Sequence, residues 1–225
     1  MHRRRRSALL LSAAIVAAAP LLTACGSDAH PGAAAVVGQD RITVAQLENR
    51  VNEVRTAQRA VSTDESQYQQ AVAQSSALTR NTLNGMVLEK VLDQALKDAG
   101  VTVTRKEVQK YRTDLEAEAG GTEALETAYL QRYSVAPEQL EESLRSDVEV
   151  QKLAASLGAD LNTQEGGAVF WKALSAASKK LDVDLNPRYG SWGVDPASGR
   201  VGLVDAKTPW LKEVTRVATP ERAQG

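Results

Sequence analysis

Apolar positions in this 225-residue chain recur at helical spacing over most of its length, with short extended stretches near both ends. Val36-Val37 reads as a short strand, Gly38-Gln39-Asp40 as a tight turn and Arg41-Ile42 as its return. Thr43 and Gln46 have capping-box spacing, so a helix starts there. Val44, Leu47, Val51 and Val54 follow at three- and four-residue steps, with Arg50, Glu53 and Arg55 off that stripe. Residues 61–66 break the pattern and offer caps for a second, longer helix running to about Ala99. On it Leu83, Val87, Val91 and Ala95 form one row and Met86, Leu88, Leu92 and Leu96 a second. A face this wide suits a central helix touched from more than one side.

Gly100 stands where a left-handed helix end is expected, with Val101 folding back on the last turn. Thr104 and Glu107 repeat the capping-box spacing, and the third helix carries Val108, Tyr111 and Leu115 to Gly120-Gly121. A short helix with Leu125, Tyr129 and Leu130 follows. Pro137 then opens another at a first helical position, where its missing N–H costs nothing. That helix runs to about Leu157, with Leu140, Leu144, Val148 and Leu153 inward and Glu141, Glu142, Arg145 and Glu149 outward. Gly158 to Gly167 reads as a polar break. Ala168 to Leu181 reads as the last helix, carrying Phe170, Trp171 and Leu174, with the two aromatics pinning it to the bundle. Val183 to Leu185 alternates like an edge strand, stopped at Pro187, and Arg188 to Trp192 closes the domain.

The predicted fold is mainly α: a bundle of five to six helices with short strands at the N- and C-terminal ends. The predicted divisions are a signal at 1–24, a flexible tether at 25–35, the helical domain at 36–192 and a poorly ordered tail at 193–225. Within that tail Val201 to Val204 is at most weakly paired.

Charge changes this picture little. Losing the signal removes four of 27 basic residues and none of 28 acidic ones, leaving 23 against 28, a net charge of −5. With no basic block after the signal, nucleic acid is not an expected partner. Histidine and cysteine are more restrictive. The two histidines are His2 and His30 and the one cysteine is Cys25, all before the predicted domain. Cys/His nucleophile pairs, Ser-His-Asp triads and the usual zinc sets are therefore excluded from it. No catalytic residue, cofactor or metal is expected. Glu116 and Glu118, and the set Glu138, Glu141 and Glu142, read as a solvated charged face with Arg112 and Arg145 nearby.

The first 25 residues add a compartment. Arg3 to Arg6 form a positive patch, and Ala8 to Leu22 is almost wholly apolar but short for a hydrocarbon core of roughly 30 Å. That is the layout of an export signal. Leu22-Thr23-Ala24-Cys25 resembles the lipobox of bacterial lipoproteins. The resemblance implies cleavage between Ala24 and Cys25, acylation of the Cys25 thiol and a lipid-anchored protein on the extracytoplasmic face of the cell membrane. More than one acyl chain is needed for firm anchoring.

The order Val36-Val37-Gly38-Gln39-Asp40-Arg41-Ile42-Thr43 resembles the start of the SurA N-terminal chaperone domain, which also opens SurA/PrsA/PpiD-type parvulin foldases. Gly100 to Val108 resembles the break into that family's third helix, and Val135-Ala136-Pro137-Glu138-Gln139-Leu140 the entry into its later long helix. Asp184 to Gly190 resembles the C-terminal strand that pairs with the N-terminal one, which implies a mainly α fold of five to six helices with a small β-sheet pairing the N- and C-terminal ends. Gly38-Gln39 replaces the commoner Asn-Gly. Where the foldases carry a parvulin domain, this chain has only Gly158 to Gly167.

The resemblance implies a chaperone scaffold without the isomerase: passive, ATP-independent holding of unfolded or exported polypeptides. Candidate client contacts are Tyr68, Val72, Met86 and Val87 on the long helix and Tyr129 and Tyr133 on the short one; core packing is the competing role for each. A scaffolding lipoprotein serving one envelope partner is the alternative function. A peptidyl-prolyl isomerase is a third reading, opposed by the missing insert. The sequence leaves the client and the oligomeric state open.

Overall fold

The computed structural model describes residues 31–75 and 77–204. The signal, Ala24 and Cys25, the start of the tether and the chain from 205 onward lie outside the described residues.

Strand β1, Ala33–Val37, runs between β2, Asp40–Thr43, and β3, Val183–Leu185, in a three-stranded antiparallel sheet. Ala35 lies opposite Leu185, Val36 opposite Asp184 and Val37 opposite Val183. The two ends of the domain thus share one ladder, as the family resemblance implies. Order begins earlier than expected, however. Ala33, Ala34 and Ala35, assigned above to the tether, are buried strand residues. A central strand is covered on both faces, and methyl side chains fit there; alanine composition alone does not distinguish linker from core. Gly38 turns β1 into β2 at φ +61°, and its N–H donates to the Leu181 carbonyl at 2.6 Å.

Among the described residues there are seven α-helices, one more than the expected maximum. Helix α1, Val44–Val61, starts at the predicted capping box: the Thr43 hydroxyl accepts from the Gln46 N–H, and the Gln46 side chain accepts from the Thr43 N–H. The long second helix is two, α2, Glu65–Gln74, and α3, Leu78–Ala99. The cause is Ser75. The Arg55 guanidinium donates to its carbonyl at 3.0 Å, and that carbonyl takes the Leu78 N–H at 3.0 Å, a three-residue turn in place of the four-residue helical step. The Ser75 hydroxyl donates back to the Ala71 carbonyl and accepts from the buried Gln58.

Helix α3 is central, as its wide apolar face predicts. Leu83, Val87 and Val91 are fully buried, and α3 packs against α1 and β1. It ends at Gly100 with φ +65°, where the Val101 N–H reaches back to the Leu96 carbonyl. Helices α4, Arg105–Ala119, and α5, Thr122–Tyr133, lean on α6, Leu140–Ser156, around Val108, Leu125, Tyr129, Leu140 and Leu144, a core separate from the main one. A 3-10 turn, Pro137–Gln139, leads into α6.

Helix α7, Gln164–Leu181, begins four residues before its expected start. The Thr163 hydroxyl accepts from the Gly166 N–H at 3.0 Å, and Gly166 lies so close to the Asp160 backbone that a Cβ would fall 2.1 Å from its carbonyl oxygen. The glycine that looks like a loop residue is thus a helical contact point. Glu149, expected outward, is buried and pairs with Arg145 at 2.9 Å.

The tail begins as ordered structure. β4, Ser191–Val194, and β5, Val201–Val204, form an antiparallel hairpin, correcting the expected low order over 193–204. Asp195 organises its turn, accepting from Ala197 N–H at 2.9 Å and the Ser198 hydroxyl at 2.8 Å. The Leu203 N–H donates to the Asn84 side chain on α3 at 2.8 Å.

Candidate functional site

Helices α3, α6 and α7 do not close on one another along their whole length. Between them, and under the β4–β5 turn, lies an open groove of about 1140 Å³. Its α3 wall presents Gly85, Leu88, Glu89 and Leu92, at three- and four-residue steps and therefore on one face. Ser143, Ser146 and Val150 face it from α6, and Trp171 and Leu174 from α7. Small side chains set the width: a Cβ added at Gly85 or Gly167 would meet nothing within 4 Å. The Phe170 and Trp171 rings meet edge to face at 5.9 Å, Phe170 in the core and Trp171 half-buried at the groove. Across its opening the Arg200 guanidinium lies 5.5 Å from the Trp171 ring.

At one end sits a charge cluster. Arg50 reaches Glu89 at 3.4 Å and also pairs with Glu142. Gln139 donates to the Arg50 carbonyl and to Glu53. Burial pushes the Glu89 carboxyl up to about 7; Arg50 works against this shift and Glu142 adds to it. Arg50, read from sequence as off the apolar stripe, is three residues from Leu47 and four from Val54, so helical geometry turns it toward the groove.

Of the predicted client contacts Tyr129 and Tyr133 meet, their ring centroids 5.3 Å apart, but the six do not form one surface. Met86 and Val87 are core residues, buried under α3's neighbours. Tyr129 is buried as well, its hydroxyl donating to Asp147 at 2.8 Å; burial and that carboxylate raise the phenol's pKa. For these three, packing wins over client contact. Tyr68 and Val72 are half-buried on α2, with the Arg59 guanidinium 4.6 Å from the Tyr68 ring. Tyr133 is 57% exposed. None of the six lines the groove.

The periodicity gives Leu88 and Trp171 the same packing role as Leu92, but only Leu92 is buried in the core. The signal that finds Leu88 is an apolar face on α3 wider than its neighbours can cover, with Gly85 inside the helix. Glu116 and Glu141 both pair with Arg112, as a charged outer face should. Among the described residues no three His, Cys, Asp or Glu side chains gather to hold a metal, and no helix is long and apolar enough to cross a membrane.

A family model described as the SurA-like N-terminal domain matches residues 1–154. The match ends inside α6, so the α3 and α6 walls of the groove fall within it and the α7 wall lies past its end. No curated protein and no solved structure gives a significant match.

Proposed function

The chain belongs to the SurA-like N-terminal domain family, a chaperone-type module, and on that premise we propose that it holds unfolded or exported polypeptide segments in the α3/α6/α7 groove. Holding is passive: apolar side chains of a client are covered by the half-buried Leu88 and Trp171, with no ATP, metal, cofactor or catalytic residue. The observation that carries this reading is the groove itself. An open, mainly apolar cleft of about 1140 Å³ is of the size that takes side chains of a partner.

The sequence adds the setting. A lipobox-like Leu22-Thr23-Ala24-Cys25 supports an extracytoplasmic lipoprotein tethered through Cys25. Cys25→Ala is expected to release the protein from membranes into the medium; continued retention contradicts the anchor.

Filling the groove tests the holdase reading. Gly85→Leu adds a side chain into open space and replaces a poor helix former by a good one. The variant is expected to fold at least as stably as the parent. The parent should suppress aggregation of several unrelated unfolded proteins at near-stoichiometric ratio, and the variant should lose most of that effect. Suppression unchanged in Gly85→Leu refutes the groove as the site. Binding of one envelope partner with no suppression at all favours the scaffolding alternative.

A further inference from the structure

We propose that the groove selects acidic amphipathic segments, polypeptides whose apolar side chains are flanked by carboxylates. This rests on reading the groove as a polypeptide site and adds the chemistry of what enters it. The charged side chains that line the cleft are Arg50, Lys172, Lys179 and Arg200 against the single carboxylate of Glu89. Arg50 and Glu89 pair with each other, so the opening itself carries the three remaining cations. This local excess runs against the chain as a whole, in which acidic residues outnumber basic ones.

The cations are also placed to be used. Among the described residues neither Lys172 nor Lys179 is paired with a carboxylate, whereas the neighbouring Lys180 is bound to Asp98 at 2.9 Å. Both are exposed and seven residues apart on α7, on the side that carries Trp171 and Ser175 into the groove. Arg200 comes from the β4–β5 turn and lies over the Trp171 ring, beside the α7 wall. Apolar side chains of a segment seated on Leu88 and Trp171 would therefore have these three cations close by. A client carboxylate there gains an attractive partner and a client lysine meets repulsion.

The experiment uses the purified full-length protein and three fluorescein-labelled peptides. All three share the same spaced Leu and Phe residues, and the intervening positions are all Glu, all Gln or all Lys. Anisotropy titrations at low salt should show the Glu peptide binding about tenfold tighter than the Lys peptide, with Gln between, and 0.5 M salt should compress the spread. Lys172→Gln, Lys179→Gln and Arg200→Gln combined should erase the Glu preference. A matched triple at Lys97, Arg105 and Lys106, none of which lines the groove, should keep it. Equal affinities for the three peptides, or a preference that survives the rim triple, overturns the charge selection and leaves the polypeptide site standing. No binding of any peptide overturns the site itself. Capture of phosphatidylglycerol but not phosphatidylcholine vesicles by the rim, without peptide binding, reassigns the cations to an anionic lipid surface and overturns the proposal.

Discussion

The indole N–H of Trp192 donates to the hydroxyl of Ser178 at 2.7 Å, hooking the β4–β5 hairpin onto α7. Ser178 is one of few buried polar residues, so the bond stands in a poorly hydrated place. Trp192→Phe keeps most of the apolar contact and strands the hydroxyl. A loss of about 1 to 2 kcal/mol is expected, read from urea midpoints. Ser178→Ala in the Trp192→Phe background should cost little more, because the partner is already gone. Additive losses would show that the two side chains are not coupled.

The shared ladder of the two chain ends makes a sharper demand. Val37 lies in the middle strand and is 2% exposed, opposite Val183. Val37→Asp buries a carboxylate between two paired strands and should remove more than about 3 kcal/mol, leaving little folded protein in a thermal melt. Asp184, one position along the neighbouring strand, is exposed. Asp184→Ala should stay within about 0.5 kcal/mol of the parent. Comparable losses for both would mean that the sheet's inner and outer faces are misassigned.

Two adjacent glycines in α7 should respond with opposite signs. A Cβ at Gly166 would fall 2.1 Å from the Asp160 carbonyl oxygen, so Gly166→Ala must push the 157–163 loop away and is expected to cost about 2 to 4 kcal/mol. At Gly167 a Cβ meets nothing within 4 Å, and Gly167→Ala should gain about 0.5 to 1 kcal/mol from helix propensity. Chemical denaturation of the two variants side by side decides it. A gain at Gly166 would mean that α7 does not begin at Gln164.

These residues also mark how far the sequence could be read. Capping boxes at Thr43 and Thr104 and the left-handed Gly100 follow from local chemistry, which is written in neighbouring residues, whereas the pairing of Val36 with the distant Asp184 was legible only through the family resemblance. The division at Ser75 is not local, because it depends on Arg55 arriving from another helix. Gly166 belongs to a helix for a reason that lies in the Asp160 backbone. The groove was the least legible part. Leu88 and Trp171 carry the same apolar signature as true core residues, and what separates them is the absence of a neighbour, which periodicity does not record. Arg50 and Glu89 come from different helices and meet through packing alone.

That meeting gives the protein a pH dependence of definite sign. In the folded chain burial holds the Glu89 carboxyl up to about 7, against an ordinary value of 4.5 when unfolded. Between those values the folded state keeps a proton that the unfolded state has released, so stability from this group is full below about pH 4.5 and is lost as pH rises through about 7. Burial raises Asp147 and Glu149 as well, which adds in the same direction. Glu107 opposes them: its hydrogen bond to the Lys152 ammonium, with those from Thr104, holds it down to about 2, so its contribution is present at neutral pH and lost in acid. The Glu89 side chain keeps 29% exposure, and water screening leaves its share on the order of 1 kcal/mol. Urea midpoints measured at pH 5.0, 6.0 and 7.5 should fall with rising pH in the parent. Glu89→Gln cannot ionise and keeps Arg50 paired with Glu142, so its midpoints should be flatter and higher at pH 7.5. An unchanged slope in Glu89→Gln places the titrating group elsewhere, with Asp147→Asn the next variant to measure.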